Sequence, residues 1–324
     1  MKLNLEQIQA LTLGAAETVI QEGGIQFYRM PETTARQIWQ RNHDFGMKAL
    51  ATAGIRMDFS TDSEFFAFSY DCAKAASSRS WYYFTLLIDG KHFAEIGEEK
   101  AERFCGEYQT RLPKGNKRIT LFFPNLFRAR ICGVELSDGA RFERIAVKKR
   151  FVFYGDSITQ GYDAKSAAKG YVNRIAYAAD AEIFNFGIGG AVFDKDMLDT
   201  SNDYNADGVF VAYGTNDWGY RESLHELSKY CEEVFAMLSS LFANKPVFVL
   251  LPIWRVNYQE IKQTGALKEV RACIAQIAKW YENFRVIDLE GDIPQDEAFF
   301  SDGLHPNDEG FAYFAQGVLK KINL

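Results

Sequence analysis

The stretch Arg150-Phe151-Val152-Phe153-Tyr154-Gly155-Asp156-Ser157 reads as a buried strand running into a polar turn. An apolar run this short, closed by glycine, is the pattern of a strand covered on both faces. The same texture returns at Glu182–Phe186, Gly208–Tyr213, Pro246–Leu251 and Arg285–Leu289. Amphipathic helical patterns occupy Glu222–Phe242, Thr264–Asn283 and Asn307–Ile322. Strands alternating with helices imply a parallel sheet with helices on both faces. An α/β domain is therefore expected over residues 148–324.

Upstream the texture differs. Ile25–Met30, Gly54–Ser60, Glu64–Tyr70, Trp81–Asp89, His92–Ile96, Lys117–Phe123 and Ala129–Leu136 all read as strands. Asp89-Gly90 between two of them is a hairpin signal. Strands at this spacing, with few long helical patterns, predict an all-β sandwich of the jelly-roll kind over residues 1–147. The short linker predicts that the two domains pack together.

Composition narrows the function classes. The chain has 324 residues, 47% hydrophobic and 25% charged, with a net charge of -6. The densest basic run is Lys148-Lys149-Arg150, too little to neutralise phosphates, so no nucleic-acid partner is expected. No apolar run approaches the roughly 18 residues of a membrane span, so no membrane partner is expected either. The first residues, with Glu6, Gln7, Gln9 and Glu17, lack the pattern of a secretory leader. The five cysteines are scattered and include no CxxC pair, which predicts free thiols rather than disulfides or a zinc site. A cytoplasmic protein is expected. The 27 Phe, 16 Tyr and 5 Trp suit aromatic-rich β cores and leave room for a sugar-stacking surface.

The chemistry gathers where the strands of the second domain end. In a parallel sheet those ends share one edge, and ligands bind there. The turns carry Gly155-Asp156-Ser157, Gly187-Ile188-Gly189-Gly190, Gly214-Thr215-Asn216-Asp217 and Ile253-Trp254-Arg255; after the last strand comes Asp302-Gly303-Leu304-His305-Pro306. Ser157 is a candidate nucleophile that needs a base, and equally a candidate helix N-cap. His305, one of four histidines, stands three residues after Asp302. That spacing lets a carboxylate fix one ring nitrogen and leave the other to take a serine proton. The backbone N–H groups of Ser157 and Gly190 and the Asn216 amide are candidate donors to an oxyanion. Turn-forming glycines and a turn asparagine are the plain alternative. Asp156 reads as structural, and His43, His92 and His225 as structural or solvated.

Taken together, Gly155-Asp156-Ser157, Asn185-x-Gly-x-Gly-Gly190, Gly-x-Asn216-Asp217 and Asp302-x-x-His305-Pro306 resemble the motif blocks of the SGNH, or GDSL, hydrolase superfamily. The resemblance implies a flavodoxin-like three-layer α/β/α fold and ester hydrolysis without metal or cofactor. By the same likeness, Ser157, His305 and Asp302 would be the catalytic triad, and Ser157, Gly190 and Asn216 the oxyanion hole. A jelly roll ahead of such a domain resembles carbohydrate esterase family 2 and similar acetyl esterases. The expected substrate is then an acetylated sugar or oligosaccharide. Tyr162, Trp218, Trp254 and Arg255 follow strand ends and are candidates either to wall its pocket or to anchor loops. No long apolar lid is visible, which speaks against a lipase for long chains. A thioesterase or lysophospholipase of the same superfamily, or a non-catalytic carbohydrate-binding protein, is the alternative.

Overall fold

The computed structural model describes residues 1–76 and 78–322. The first part holds helix α1 (Leu5–Ala10) and strands β1 (Thr12–Leu13), β2 (Glu17–Gln21) and β3 (Gly24–Tyr28). Helices α2 (Glu32–Arg41) and α3 (His43–Ala49) follow. Then come β4 (Arg56–Thr61), β5 (Phe65–Lys74), β6 (Tyr82–Ile88), β7 (Lys91–Glu98), β8 (Cys105–Arg111), β9 (Lys117–Phe122), β10 (Phe127–Leu136) and β11 (Phe142–Arg144). They form two antiparallel sheets. One has the order β1-β4-β9-β6-β7 with β11 also on β4, and the other β2-β3-β10-β5-β8. Alternate residues of β5, such as Phe66, Phe68 and Tyr70, point into a shared core with Phe59 and Phe84, where ring edges and faces interlock.

The second part is a parallel sheet. Its strands are β12 (Lys149–Gly155), β13 (Ala181–Gly187), β14 (Gly208–Ala212), β15 (Val247–Leu250) and, after a two-residue hairpin of β16 (Ile261–Lys262) and β17 (Gly265–Ala266), β18 (Phe284–Ile287). Their order is β13-β12-β14-β15-β18. Helix α4 (Ser157–Gln160) follows β12 directly. Around the sheet lie α5 (Tyr171–Ala178), α6 (Asp217–Tyr220), α7 (Leu224–Leu241), α8 (Leu267–Ala278) and α9 (Asp308–Ile322). The apolar run of β12 divides by the strand's period of two. Val152 and Tyr154 pack with α7 and α8, whose buried residues include Leu227, Cys231, Val234, Leu238, Val270 and Ile274. Phe151 and Phe153 pack on the other face with α5 and α9, and the Phe153 and Phe210 rings stack at 4.3 Å. None of the described helices is long and apolar enough to cross a membrane.

Strand β13 lies at one edge of the parallel sheet, and the antiparallel part closes that edge. Two buried arginines do so. Arg56 Nη2 donates to the Ala181 carbonyl at 2.8 Å, and Arg29 Nη1 donates to the carbonyls of Asn185 and Gly187 at 2.6 and 2.7 Å. Burial lowers the pKa of Arg29 to about 9, and that of Arg56 also falls through burial, against the pull of Asp58. A further Arg29 bond to the Lys48 carbonyl ties α3 to the same place.

Candidate active site

The parallel register pairs Gly155 with Gly187 on one side and with Ala212 on the other. The turns after β12, β13 and β14 therefore leave the sheet at one level. Asp156 caps α4, its carboxylate accepting the Ile158 N–H at 2.9 Å. The capping role left open for Ser157 thus belongs to its neighbour, and the Ser157 hydroxyl meets His305 Nε2 at 2.8 Å. On the far side of the ring, Nδ1 lies 2.8 Å from Asp302 Oδ2. A carboxylate only accepts, so Nδ1 carries the proton and Nε2 is left to accept from the serine. Asp302 Oδ1 also takes the backbone N–H groups of Leu304 and His305, which closes the turn around the ring. Ser157 and His305 are buried, whereas the Asp302 side chain is 42% exposed. Burial pushes the Asp302 carboxyl up, but the hydrogen bonds from the His305 ring and backbone outweigh it and hold the group well below the usual carboxylate range.

The glycine turn after β13 is held from several directions. Gln160 Oε1 accepts the Gly189 N–H at 2.8 Å, and Lys48 Nζ donates to the Gly189 carbonyl at 2.9 Å. Asn216 Nδ2 donates to the Ala191 carbonyl at 2.9 Å, which uses one of its two amide hydrogens and leaves the other. Asp217 accepts the Phe193 N–H and pairs with Arg221. Burial pushes Asp217 up to about 6 and Asp156 up to about 7. Gly190 has a φ of +87°, the left-handed region glycine favours. Among the described residues, no acceptor meets the backbone N–H of Ser157 or Gly190. Those two donors and the second Asn216 hydrogen can serve a developing oxyanion.

The pocket candidates fall in different places. Tyr162 is buried, its ring 5.6 Å from that of His305. Trp218 is fully buried and donates its indole N–H to the Gly265 carbonyl, so it is a loop anchor rather than a pocket wall. Arg255 lies over Trp218 and beside Thr215, with Nη1 3.4 Å from both its carbonyl and its hydroxyl. Trp254 lines a cleft of about 450 Å³ with Tyr258, Ile261 and Ile293, whose lining includes neither Ser157 nor His305. His43 packs edge-on against Trp39, and His92 lies beside Glu95.

Sequence reasoning did not find Asp163, Arg79, Arg29 or Lys48. Asp163 Oδ2 lies 3.5 Å from His305 Nδ1, and Arg79 bridges Asp163 and Asp302. Nothing local marks these residues, because each acts across a long sequence separation. Asp163, Asp302 and His305 are also a described group whose ligand atoms lie within 4.8 Å of one another. The guanidinium of Arg79 already fills the place of a cation between the carboxylates, and Ser157 engages the remaining ring nitrogen.

The GDSL-like lipase/acylhydrolase family matches residues 153–313. No curated protein sequence matches the chain. Among solved structures it is similar to the salicylyl-acyltransferase SsfX3 from a tetracycline biosynthetic pathway, at a TM-score of 0.82 and 18% identity, covering 96% of this chain and 93% of that one. A structure from Bacteroides ovatus ATCC 8483 described as a GDSL-like lipase gives 0.72 and 19%, covering 98% and 97%. An acetyl xylan esterase from the rumen bacterium Butyrivibrio proteoclasticus gives 0.67 and 12%, covering 100% and 97%. Residues 153–313 belong to the GDSL-like lipase/acylhydrolase family, and the chain is a carboxylic ester hydrolase.

Proposed function

We propose that the chain is a serine esterase that removes short acyl groups, acetyl foremost, from a carbohydrate hydroxyl. One observation carries the reading: Ser157 Oγ, the His305 ring and the Asp302 carboxylate form an unbroken hydrogen-bonded series at the C-terminal edge of the parallel sheet. Ser157 attacks the ester carbonyl while Nε2 of His305 takes its proton. The tetrahedral oxyanion is held by the N–H groups of Ser157 and Gly190 and by the Asn216 amide. His305 then protonates the leaving alcohol; in the second half it takes a proton from water, which attacks the acyl carbon, and gives it to Ser157 Oγ as the acyl–serine bond breaks and the carboxylic acid leaves.

Further observations support the rest of this reading. The order β13-β12-β14-β15-β18 is the 2-1-3-4-5 order of flavodoxin-like sheets, which fits a catalytic domain over residues 148–324. The paired antiparallel sheets before it fit a jelly-roll domain over residues 1–147. Similarity in fold to an acetyl xylan esterase and to family two carbohydrate esterases favours a sugar as the alcohol. Free cysteines suit a reducing compartment, hence a small acetylated sugar or oligosaccharide inside the cell. A second reading, acyl transfer to an alcohol other than water, is favoured by the fold similarity to SsfX3.

The test is hydrolysis of 4-nitrophenyl acetate, butyrate and octanoate, and of acetylated xylo-oligosaccharides, by the wild type and Ser157→Ala. Acetate should be preferred and the variant should lose about 10³-fold or more. Turnover surviving in Ser157→Ala removes the nucleophile, and a preference for octanoate removes the acetyl esterase. Product appearing as a new ester when an alcohol is added identifies the acyltransferase.

A further inference from the structure

His305 Nδ1 faces two carboxylates. Asp302 Oδ2 is at 2.8 Å and half exposed, while Asp163 Oδ2 is at 3.5 Å and buried, with its side chain 5% exposed. Asp163 has a φ of +63°, a left-handed backbone conformation that is costly for a non-glycine residue, so its surroundings hold it there. Those surroundings are the guanidinium of Arg79. Nε and Nη2 reach the two oxygens of Asp163 at 2.7 Å each, and Nη2 also reaches Asp302 Oδ2 at 3.3 Å. Arg79 comes from the antiparallel part, in the segment between β5 and β6, and its guanidinium lies over the Tyr162 ring.

We propose that Arg79 and Asp163 are positioning residues for the ester hydrolysis: Arg79 aligns the exposed Asp302 carboxylate on His305 and offsets the charge of Asp163, so that the ring feels one net negative charge rather than two. The proposal rests on His305 being the base. Two uncompensated carboxylates on one imidazole nitrogen would favour its protonated form and remove the base at neutral pH. A bidentate guanidinium both cancels one charge and fixes the geometry, which a lysine ammonium cannot do as a planar fork. The other titratable and charged groups around the ring are Asp156, ahead of the nucleophile and coupled to His305 by charge, Tyr162 beside the ring, and Arg255 farther out, coupled to Asp302 and Asp156. None of these bridges Asp163 to Asp302.

The experiment is a pH profile of kcat/KM for acetate ester hydrolysis, with an NMR titration of the His305 ring, on the full chain. The variants are Arg79→Ala, Arg79→Lys, Asp163→Asn and the double variant Arg79→Ala/Asp163→Asn. In Arg79→Ala the acid limb and the ring titration should both move up by about one pH unit. Asp163→Asn should move them down, and the double variant should return them toward wild type. Arg79→Lys should hold the limb and lower kcat. A limb and ring unmoved in Arg79→Ala, or a double variant no closer to wild type than Arg79→Ala, overturns the proposal. The ring titration does not depend on turnover, so it reports on Arg79 and Asp163 even if turnover survives in Ser157→Ala and the nucleophile assignment falls. Should Arg79→Ala fail to fold, the charge-balanced double variant against Asp163→Asn alone gives the same comparison.

Discussion

Arg29, in the antiparallel part, donates to the Gly187 carbonyl across 2.7 Å and so holds the last residue of β13 at the root of the glycine turn. The same guanidinium serves the Asn185 and Lys48 carbonyls and is wholly buried. Arg29→Ala leaves those oxygens without their donor. Hydrogen bonds to a charged donor are worth about 1.5–3 kcal/mol each, so the variant should lose about 3 kcal/mol or more. Urea unfolding would show it as a lower midpoint at unchanged slope; a loss under about 1 kcal/mol would mean that water replaces the guanidinium.

Asn216→Ala should lower kcat by about 10²–10³-fold with little change in KM, since its amide would act on charge that develops only in the transition state. The substitution also removes the bond to the Ala191 carbonyl. Asn216→Asp keeps that side chain's size but replaces donors with acceptors, and should be equally slow. Steady-state kinetics with 4-nitrophenyl acetate decide this; an Asn216→Asp enzyme at the wild-type rate contradicts the donor role.

Gly187 and Gly190 should respond differently to alanine. A Cβ at Gly187 would stand 2.5 Å from the Gln160 nitrogen, a backbone atom that cannot swing away, so Gly187→Ala should fold poorly. A Cβ at Gly190 would meet the edge of the Phe45 ring at 3.2 Å in a left-handed backbone. Gly190→Ala should keep most of the fold and lose activity, because the strained turn shifts its N–H. Circular dichroism melting beside a rate assay separates the two; equal loss of stability in both would contradict this.

Stability should fall between about pH 4 and pH 7. The buried Asp156 carboxyl is held up at about 7, with Asp217 at about 6. Free carboxyls ionise near about 4, so in this window the unfolded chain releases protons that the native chain keeps. The native state then binds more protons than the unfolded one, and stability declines as pH rises until both are ionised. Each unit is worth about 1.4 kcal/mol, which makes the Asp156 share on the order of 4 kcal/mol. Asp156→Asn keeps an acceptor for the Ile158 N–H and should flatten the decline. Denaturation midpoints at several pH values would refute the assignment if the variant showed the same slope.

The parallel sheet was legible because its strands β12 to β15 are apolar runs covered on both faces, and only the strand ends differ from expectation by a residue or two. β8, Cys105–Arg111, was not expected: it is a polar edge strand that buries no continuous face and is recognisable only beside β5. Helices α2 and α3 were also unread among the strands. In α2 only Thr34 and Ile38 are buried, too few to write a helical stripe. In the site, Asp302 and His305 were legible because they meet within one turn, and Ser157 because it follows a strand. Arg79 and Asp163 lie 84 residues apart and meet only once the two parts of the chain are packed. No local pattern records such a contact.

The edge of β13 is sealed by Arg29 and Arg56, while Arg79 reaches the Asp302 carboxylate beside His305. The parallel-sheet half is not a portable cassette: excised or grafted onto another partner, it would expose a raw strand border and lose the guanidinium that braces Asp302. The two halves are best expressed and engineered as one piece.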